Sequence, residues 1–177
     1  MNPLILFVGD SITHGTDWAS KIDFAEVKNI AVPGYLTDDV RAQLSEIKRI
    51  NPKVISMLIG TNDFGNTDVD RTGADVGQRI NEIIRSILDS SDTTQIVISS
   101  ILPRDFRFAG RIHAANRIVS SVTHDRITYL DCWPALSHNE NLRPEFLLTD
   151  GFDVHLNSAG YEAWSKVLVP TLKSRFV

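Results

Sequence analysis

Ser11, His155 and the two aspartates Asp150 and Asp153 are the residues of this chain whose types suit covalent chemistry. A serine hydroxyl is a poor nucleophile near neutral pH and needs a neighbouring base to take its proton. His155 is the best base on offer. It lies in Asp150-Gly151-Phe152-Asp153-Val154-His155-Leu156-Asn157, which reads as a loop ahead of a helix. A carboxylate beside the ring would hold its tautomer and stabilise the imidazolium. The oxyanion that forms needs N–H donors. Three candidates are the amide of Ser11 at the start of a helix-like segment, the amide of Gly34 after Val32-Pro33, and the side-chain amide of Asn62. Each residue also has a plain structural reading. Asp10 can cap the helix behind it, Asn62 can form a turn, Gly34 can serve a left-handed turn, and His155 can be a hydrogen-bonded loop residue. Their combination points to an activated serine.

These residues must be brought together by the elements between them. Leu4–Val8 is wholly apolar and stops on Gly9, as a buried strand does. The other strand candidates are Phe24–Ala31, Val54–Leu58, Gln95–Ser100 and Ile127–Leu130. Glu26, Lys28 and Asn29 interrupt the second of these, which suits an edge. Helical stripes run through Val40, Leu44, Ile47 and Ile50, and through Val76, Ile80, Ile83, Ile84, Ile87 and Leu88. Two more run through Ile112, Ala115, Ile118, Val119 and Val122, and from Ser158 to Ser174. Thr37-Asp38-Asp39 and Ser158 are candidate caps, and Asn51-Pro52 ends the helix before it. Strands alternating with helices imply an α/β fold: a parallel sheet with helices on both faces. The natural order is a five-stranded, flavodoxin-like sheet. Loops after the first, third and last strands would then meet at one crevice, and they carry Ser11, Asn62 and His155.

The bulk numbers agree. A length of 177 residues fits one domain over 1–177. With 42% hydrophobic and 23% charged residues, the chain falls in the ordinary globular range and outside the disordered one. A net charge of −4 without basic runs gives nucleic acid no footprint. Arg104, Arg107 and Arg111, interrupted by Phe106 and Phe108, suit a solvated face or contact with an anionic substrate or partner. One cysteine, Cys132, rules out an internal disulfide or a thiolate cluster and reads as a small buried hydrophobe. No metal site and no membrane span are expected. The start reads as soluble and cytoplasmic, or secreted if a leader has been removed. Trp133, Phe146 and Trp164 suit either core or a homo-oligomer interface.

Gly9-Asp10-Ser11-Ile12-Thr13, Gly34 in Val32-Pro33-Gly34-Tyr35, Gly60-Thr61-Asn62-Asp63 and Asp153-Val154-His155-Leu156-Asn157 resemble, in this order, the four blocks of the SGNH (GDSL-type) hydrolase superfamily. Ser99, Ile101-Leu102-Pro103-Arg104 and Asn116 also look like its small members. The resemblance implies a three-layer α/β/α sandwich and a serine esterase with no cofactor. Ser11 would be the nucleophile and His155 the base, with Ser11, Gly34 and Asn62 as the oxyanion hole. It departs at one point. The family's aspartate stands three residues before the histidine, and here Phe152 holds that place. Asp153 is nearer that spacing and slightly favoured. Asp150-Gly151 resembles the family's Asp-Gly pair with two residues added after it, and a Ser–His dyad stays open. The absence of a Gly-x-Ser-x-Gly elbow argues against an α/β-hydrolase. Without a long lid insertion, the implied substrate is a short-chain, acetyl-type ester of a small molecule or glycan, and Trp18, Tyr35 and Phe64 near the site suit either ordinary packing or stacking on a sugar. The competing readings are a lysophospholipase or thioesterase of the same superfamily, a non-catalytic ligand-binding module, and a flavin-binding protein.

Overall fold

A computed structural model describes residues 3–65 and 68–176. Its centre is a parallel sheet of five strands: β1 (Leu4–Gly9), β2 (Glu26–Asn29), β3 (Val54–Leu58), β4 (Gln95–Ser99) and β5 (Ile127–Leu130). Their order is β2-β1-β3-β4-β5. The helices in chain order are α1 (Ser11–His14), α2 (Thr37–Ala42), α3 (Leu44–Ile50), α4 (Gly73–Ser90), α5 (Ala109–Ser120), α6 (Trp133–Leu136) and α7 (Ser158–Ser174).

Alternate strand residues face opposite layers, as the pleat requires. Leu6, Val8, Ile55, Met57, Ile96 and Ile98 pack with Val40 of α2, Ile47 of α3, Ile80 and Ile84 of α4 and Ile112 of α5. Ile5, Phe7, Val54 and Val97 pack with Ile12 of α1, Leu136 of α6 and Trp164, Leu168 and Leu172 of α7. The result is a three-layer α/β/α sandwich. Burial on both faces explains why β1 reads as an unbroken apolar run and β3 as one interrupted only by the buried Ser56. β2 is shorter than its candidate segment and is largely exposed at the sheet edge.

Local departures have local causes. The stripe at 40–50 is two helices, because Gln43 (φ −80°, ψ −5°) caps one and begins the next. Asn157, and not Ser158, caps α7: its side chain accepts from Gly160 N at 3.0 Å. The cap of α2 is Leu36, with Asp39 accepting from its N–H, so Thr37 is free to bond Asp63. A two-residue hairpin, β6 (Ser137–His138) with β7 (Asn141–Leu142), was not expected. Among the described residues no helix is long and apolar enough to cross a membrane.

The sheet order puts β1 between β2 and β3, with Gly9 in register with Leu58. Successive crossovers leave β1 in opposite directions, so a crevice opens at the C-terminal ends of β1 and β3.

Candidate active site

Ser11 is the first residue of α1, directly after β1. Asp10 caps this helix through Oδ1, which accepts from Ile12 N at 2.9 Å. The turn is tight. A Cβ on Gly9 would stand 2.2 Å from the Leu58 carbonyl oxygen, so only glycine lets β1 and β3 close here. Asp10 is fully buried, and burial pushes its carboxyl up to about 7, with the neighbouring Asp63 charge adding to the effect.

Ser11 Oγ lies 2.9 Å from His155 Nε2. On the far side of the ring, His155 Nδ1 lies 2.5 Å from Asp150 Oδ2. The bond to His155 holds the Asp150 carboxyl below its ordinary range. An ionised carboxylate only accepts, so Nδ1 carries the proton and the Nε2 lone pair faces the serine hydroxyl. Ser11, His155 and Asp150 therefore form one hydrogen-bonded chain in which the carboxylate fixes the ring's tautomer.

The spacing argument favours Asp153, and the geometry corrects it. Asp153 turns away from His155 and takes both nitrogens of the Arg104 fork, Nη2 at 2.5 Å and Nε at 3.2 Å. Partial burial opposes its ionisation, but the Arg104 contact more than offsets this and keeps the carboxyl below its ordinary range. Asp150 reaches the ring because Gly151 takes a left-handed φ of 89° and Asp150 Oδ1 accepts from Phe152 N at 3.0 Å. That turn lets the two extra residues bulge outward. A stem closes the bulge: Leu147 bridges Leu156, and Leu148 N donates to the His155 carbonyl at 2.8 Å.

Ser11, Gly34, Asn62 and His155 line one cavity of about 290 Å³, together with Pro33, Phe64, Arg104, Phe152 and Val154. Gly34 has φ 81°, and a side chain there would be strained although the space is open. Asn62 sits in a 3-10 turn at Thr61–Asp63. Its Nδ2 donates to the Tyr35 carbonyl at 3.0 Å, which fixes the amide plane and leaves the second N–H of that nitrogen for the cavity. The turn is anchored from below by Asp63, which accepts from Thr37 N at 3.0 Å and from Thr37 Oγ1 at 2.7 Å and pairs with Arg71. Asn116 brackets Ile101 through both its backbone groups, at 2.8 and 3.0 Å, and so holds the loop after β4.

The sequence matches the GDSL-like lipase/acylhydrolase family over residues 7–163. The chain belongs to that family. It is a carboxylic ester hydrolase. Among the relatives, the human platelet-activating factor acetylhydrolase IB subunit alpha1 is 25% identical over 171 residues, 90% of this chain and 71% of the relative. An acetyl esterase mutant crystallised with acetate ion shares the fold at a TM-score of 0.76, with 16% identity and 98% of each chain covered. A carbohydrate esterase family 3 protein from Talaromyces cellulolyticus superposes at a TM-score of 0.75, with 17% identity over 98% of each chain.

Several other residues fall differently from the sequence reading. Trp18 is 1% exposed, stacked on Phe7 at 4.6 Å, and belongs to the core rather than to a sugar face. Tyr35 is half-buried against the α2–α5 layer. Of the three aromatic candidates only Phe64 lines the cavity, where it is joined by Phe152, which is 62% exposed and was not singled out as a stacking face. Trp133 and Trp164 are buried, and Phe146 packs partly against the core. Cys132 is buried, and burial pushes its thiol up to about 12. Of the cluster Arg104, Arg107 and Arg111, Arg104 pairs with Asp153, Arg107 with Asp105 and Arg111 with Asp70, so an anionic ligand would compete with carboxylates already in place.

Proposed function

We propose that this chain hydrolyses short-chain, acetyl-type esters through an acyl-serine intermediate. Ser11 Oγ attacks the ester carbonyl while His155 Nε2 takes its proton, and Asp150 holds the imidazolium. The amides of Ser11 and Gly34 and the side chain of Asn62 receive the oxyanion. His155 then returns the proton to the departing alcohol, and the acyl group stays on Ser11. Water, deprotonated by His155, releases the acid and restores the hydroxyl. The observation that carries this reading is the 2.9 Å contact from Ser11 to a histidine whose other nitrogen is held by Asp150. The acetyl preference is supported by the small cavity and by the acetyl-ester chemistry in the names of two relatives. Phe152, exposed at the cavity rim, offers an aromatic face for a sugar alcohol, while Phe64 is buried behind it.

The test is turnover of p-nitrophenyl esters from acetate to decanoate. Acetate should be the best substrate. Ser11→Ala should lose at least ~10⁴-fold in turnover while unfolding at the temperature of the parent. Undiminished activity in that variant would refute the nucleophile, and a preference for decanoate would move the reading to a lysophospholipase or thioesterase.

A further inference from the structure

The segment from Asp150 to His155 has little packing of its own. Gly151 and Phe152 are exposed, and Val154 is the first residue after the turn to enter the core. Between them stands Asp153. While Phe152, Val154 and His155 face the Ser11 cavity, Asp153 faces a second cavity of about 320 Å³, lined also by Asn141, Leu142, Pro144 and Leu147. Arg104 borders both cavities. The segment is thus a thin partition with open space on each side, and the groups that grip it midway are those on Asp153.

Those groups come from the loop after β4. Besides the two bonds from the Arg104 fork, Asp153 Oδ2 accepts from Asp105 N at 3.2 Å. Arg104 is itself fixed. Its Nη1 donates to the Thr61 carbonyl at 3.3 Å, next to Asn62, and its guanidinium lies 4.0 Å from the centre of the Phe108 ring. Side-chain exposure is 14% for Arg104 and 33% for Asp153, so the pair is partly shielded from solvent. A bidentate fork fixes direction as well as distance.

We propose that Arg104 and Asp153 are a positioning pair for His155. Their contact ties the histidine segment to the Asn62 turn and sets the reach of Nε2 to Ser11. The inference rests on Ser11 and His155 being nucleophile and base. The segment here is longer than a three-residue Asp-to-His spacing, and the pair supplies the rigidity that the added residues remove. Arg104 bonds neither Ser11 nor His155 and reaches the ring through Asp153, so its loss should slow the chemical step more than it weakens substrate binding.

The test compares Asp153→Asn, Arg104→Lys and the double variant on p-nitrophenyl acetate, beside thermal unfolding and the rate of labelling by a fluorophosphonate. A displacement near 1 Å costs about 10²-fold, so each single variant should lose about 10- to 100-fold in kcat with KM held within about twofold. Labelling should slow by a similar factor. The double variant should lose no more than the worse single one, because one contact is removed twice. Several outcomes would overturn the proposal: kcat within about twofold of the parent, a raised KM with kcat intact, losses that multiply in the double variant, or a loss of rate that only follows a loss of folded protein. If the parent shows no Ser11-dependent hydrolysis, the catalytic reading fails first and the positioning pair falls with it. If the parent is active and the variants match it, only the positioning pair fails.

Discussion

Ser11 and His155 face each other across 2.9 Å, yet the chain holds them by different means. Around Ser11 the bonds run through the backbone and the core. Trp18 Nε1 donates to the Thr13 carbonyl at 2.8 Å, the Tyr161 hydroxyl donates to the Ile12 carbonyl at 2.8 Å, and Val32 N donates to the Gly9 carbonyl at 3.1 Å. Trp18 and Tyr161 are themselves buried in the core. Around His155, beyond the short backbone stem at Leu147 and Leu148, the bonds run through side chains on exposed or half-exposed loops: Asp150 to the ring, Asp153 to Arg104, and Asn157 to the Glu145 carbonyl at 2.9 Å. The nucleophile is placed by the same packing that makes the fold stable. The base is placed by a few contacts that could be lost with the fold intact. Changes to the supports of the histidine should therefore separate activity from stability, and changes to the turn and core that support Ser11 should lower both.

The sharpest way to break this comparison is Asp150→Asn. The amide keeps the shape but can donate to Nδ1, so the ring proton moves to Nε2 and that nitrogen no longer accepts from Ser11. Turnover of p-nitrophenyl acetate should fall by about 10³–10⁴-fold. Thermal unfolding should move little, because the Asp150 side chain lies at the surface. An Asp150→Asn protein with near-parental turnover would mean that His155 works in a dyad. Next in size is Asn62→Ala, which removes one oxyanion donor and should cost about 10²–10³-fold in kcat with KM nearly unchanged. A larger rise in KM than fall in kcat would instead make Asn62 a ground-state contact.

The same contrast explains what could be read from the chain. Apolar runs such as Leu4–Val8 and Val54–Leu58 report burial on both faces, and burial dictates the sheet, so the strands and the rim carrying Ser11, Gly34 and Asn62 follow from local pattern. Spacing along a strand-to-helix turn is equally rigid, because no side chain intrudes at Gly9. The choice between Asp150 and Asp153 was not legible, because counting residues assumes a regular backbone. Gly151 reverses the chain, and Asp153 is claimed by an arginine 49 positions away. Trp18 lies near the site in sequence and suits stacking or packing equally as a residue type; only the packing of α7, with Trp164 at 4.9 Å, assigns it to the core. The hairpin at 137–142 has no apolar alternation, and its turn uses left-handed Asn139 and Glu140, with φ of 48° and 63°. A motif drawn from favoured turn residues passes over it.

Asp10 tests the serine side through pH. Its carboxyl is raised to about 7 in the folded chain against about 4 when unfolded. Between these values the folded state holds a proton that the unfolded state has released, so stability is full below pH ~4 and falls as pH rises through ~7. Asp10→Asn keeps a cap acceptor and removes the ionisation. It should be more stable than the parent at pH 8, by up to ~2–4 kcal/mol, with the advantage vanishing near pH 4. Chemical denaturation at the two pH values measures this. The carboxyls of Asp70, Asp105, Asp150 and Asp153 are shifted the other way and act at lower pH, where the carboxyl at position 10 is neutral. Equal stability differences at both pH values would show that Asp10 ionises normally in its buried place.

Two glycines give the finest version of the comparison. At Gly9 an added methyl would meet the Leu58 carbonyl at 2.2 Å and Thr13 Oγ1 at 2.5 Å, so β1 and β3 must separate. Gly9→Ala should cost ~1–3 kcal/mol and move Ser11 at the same time, so stability and turnover fall together. At Gly151 the space is open and only the left-handed φ of 89° is strained. Gly151→Ala should cost about 1 kcal/mol, and because the strain is local the segment relaxes rather than the sheet. Turnover should then fall by more than that stability loss explains, since Asp150 and His155 flank the turn. Parallel measurement of unfolding and kcat in both variants decides the matter. If Gly151→Ala loses stability and activity in the same ratio as Gly9→Ala, the histidine segment is as firmly built into the core as the serine corner.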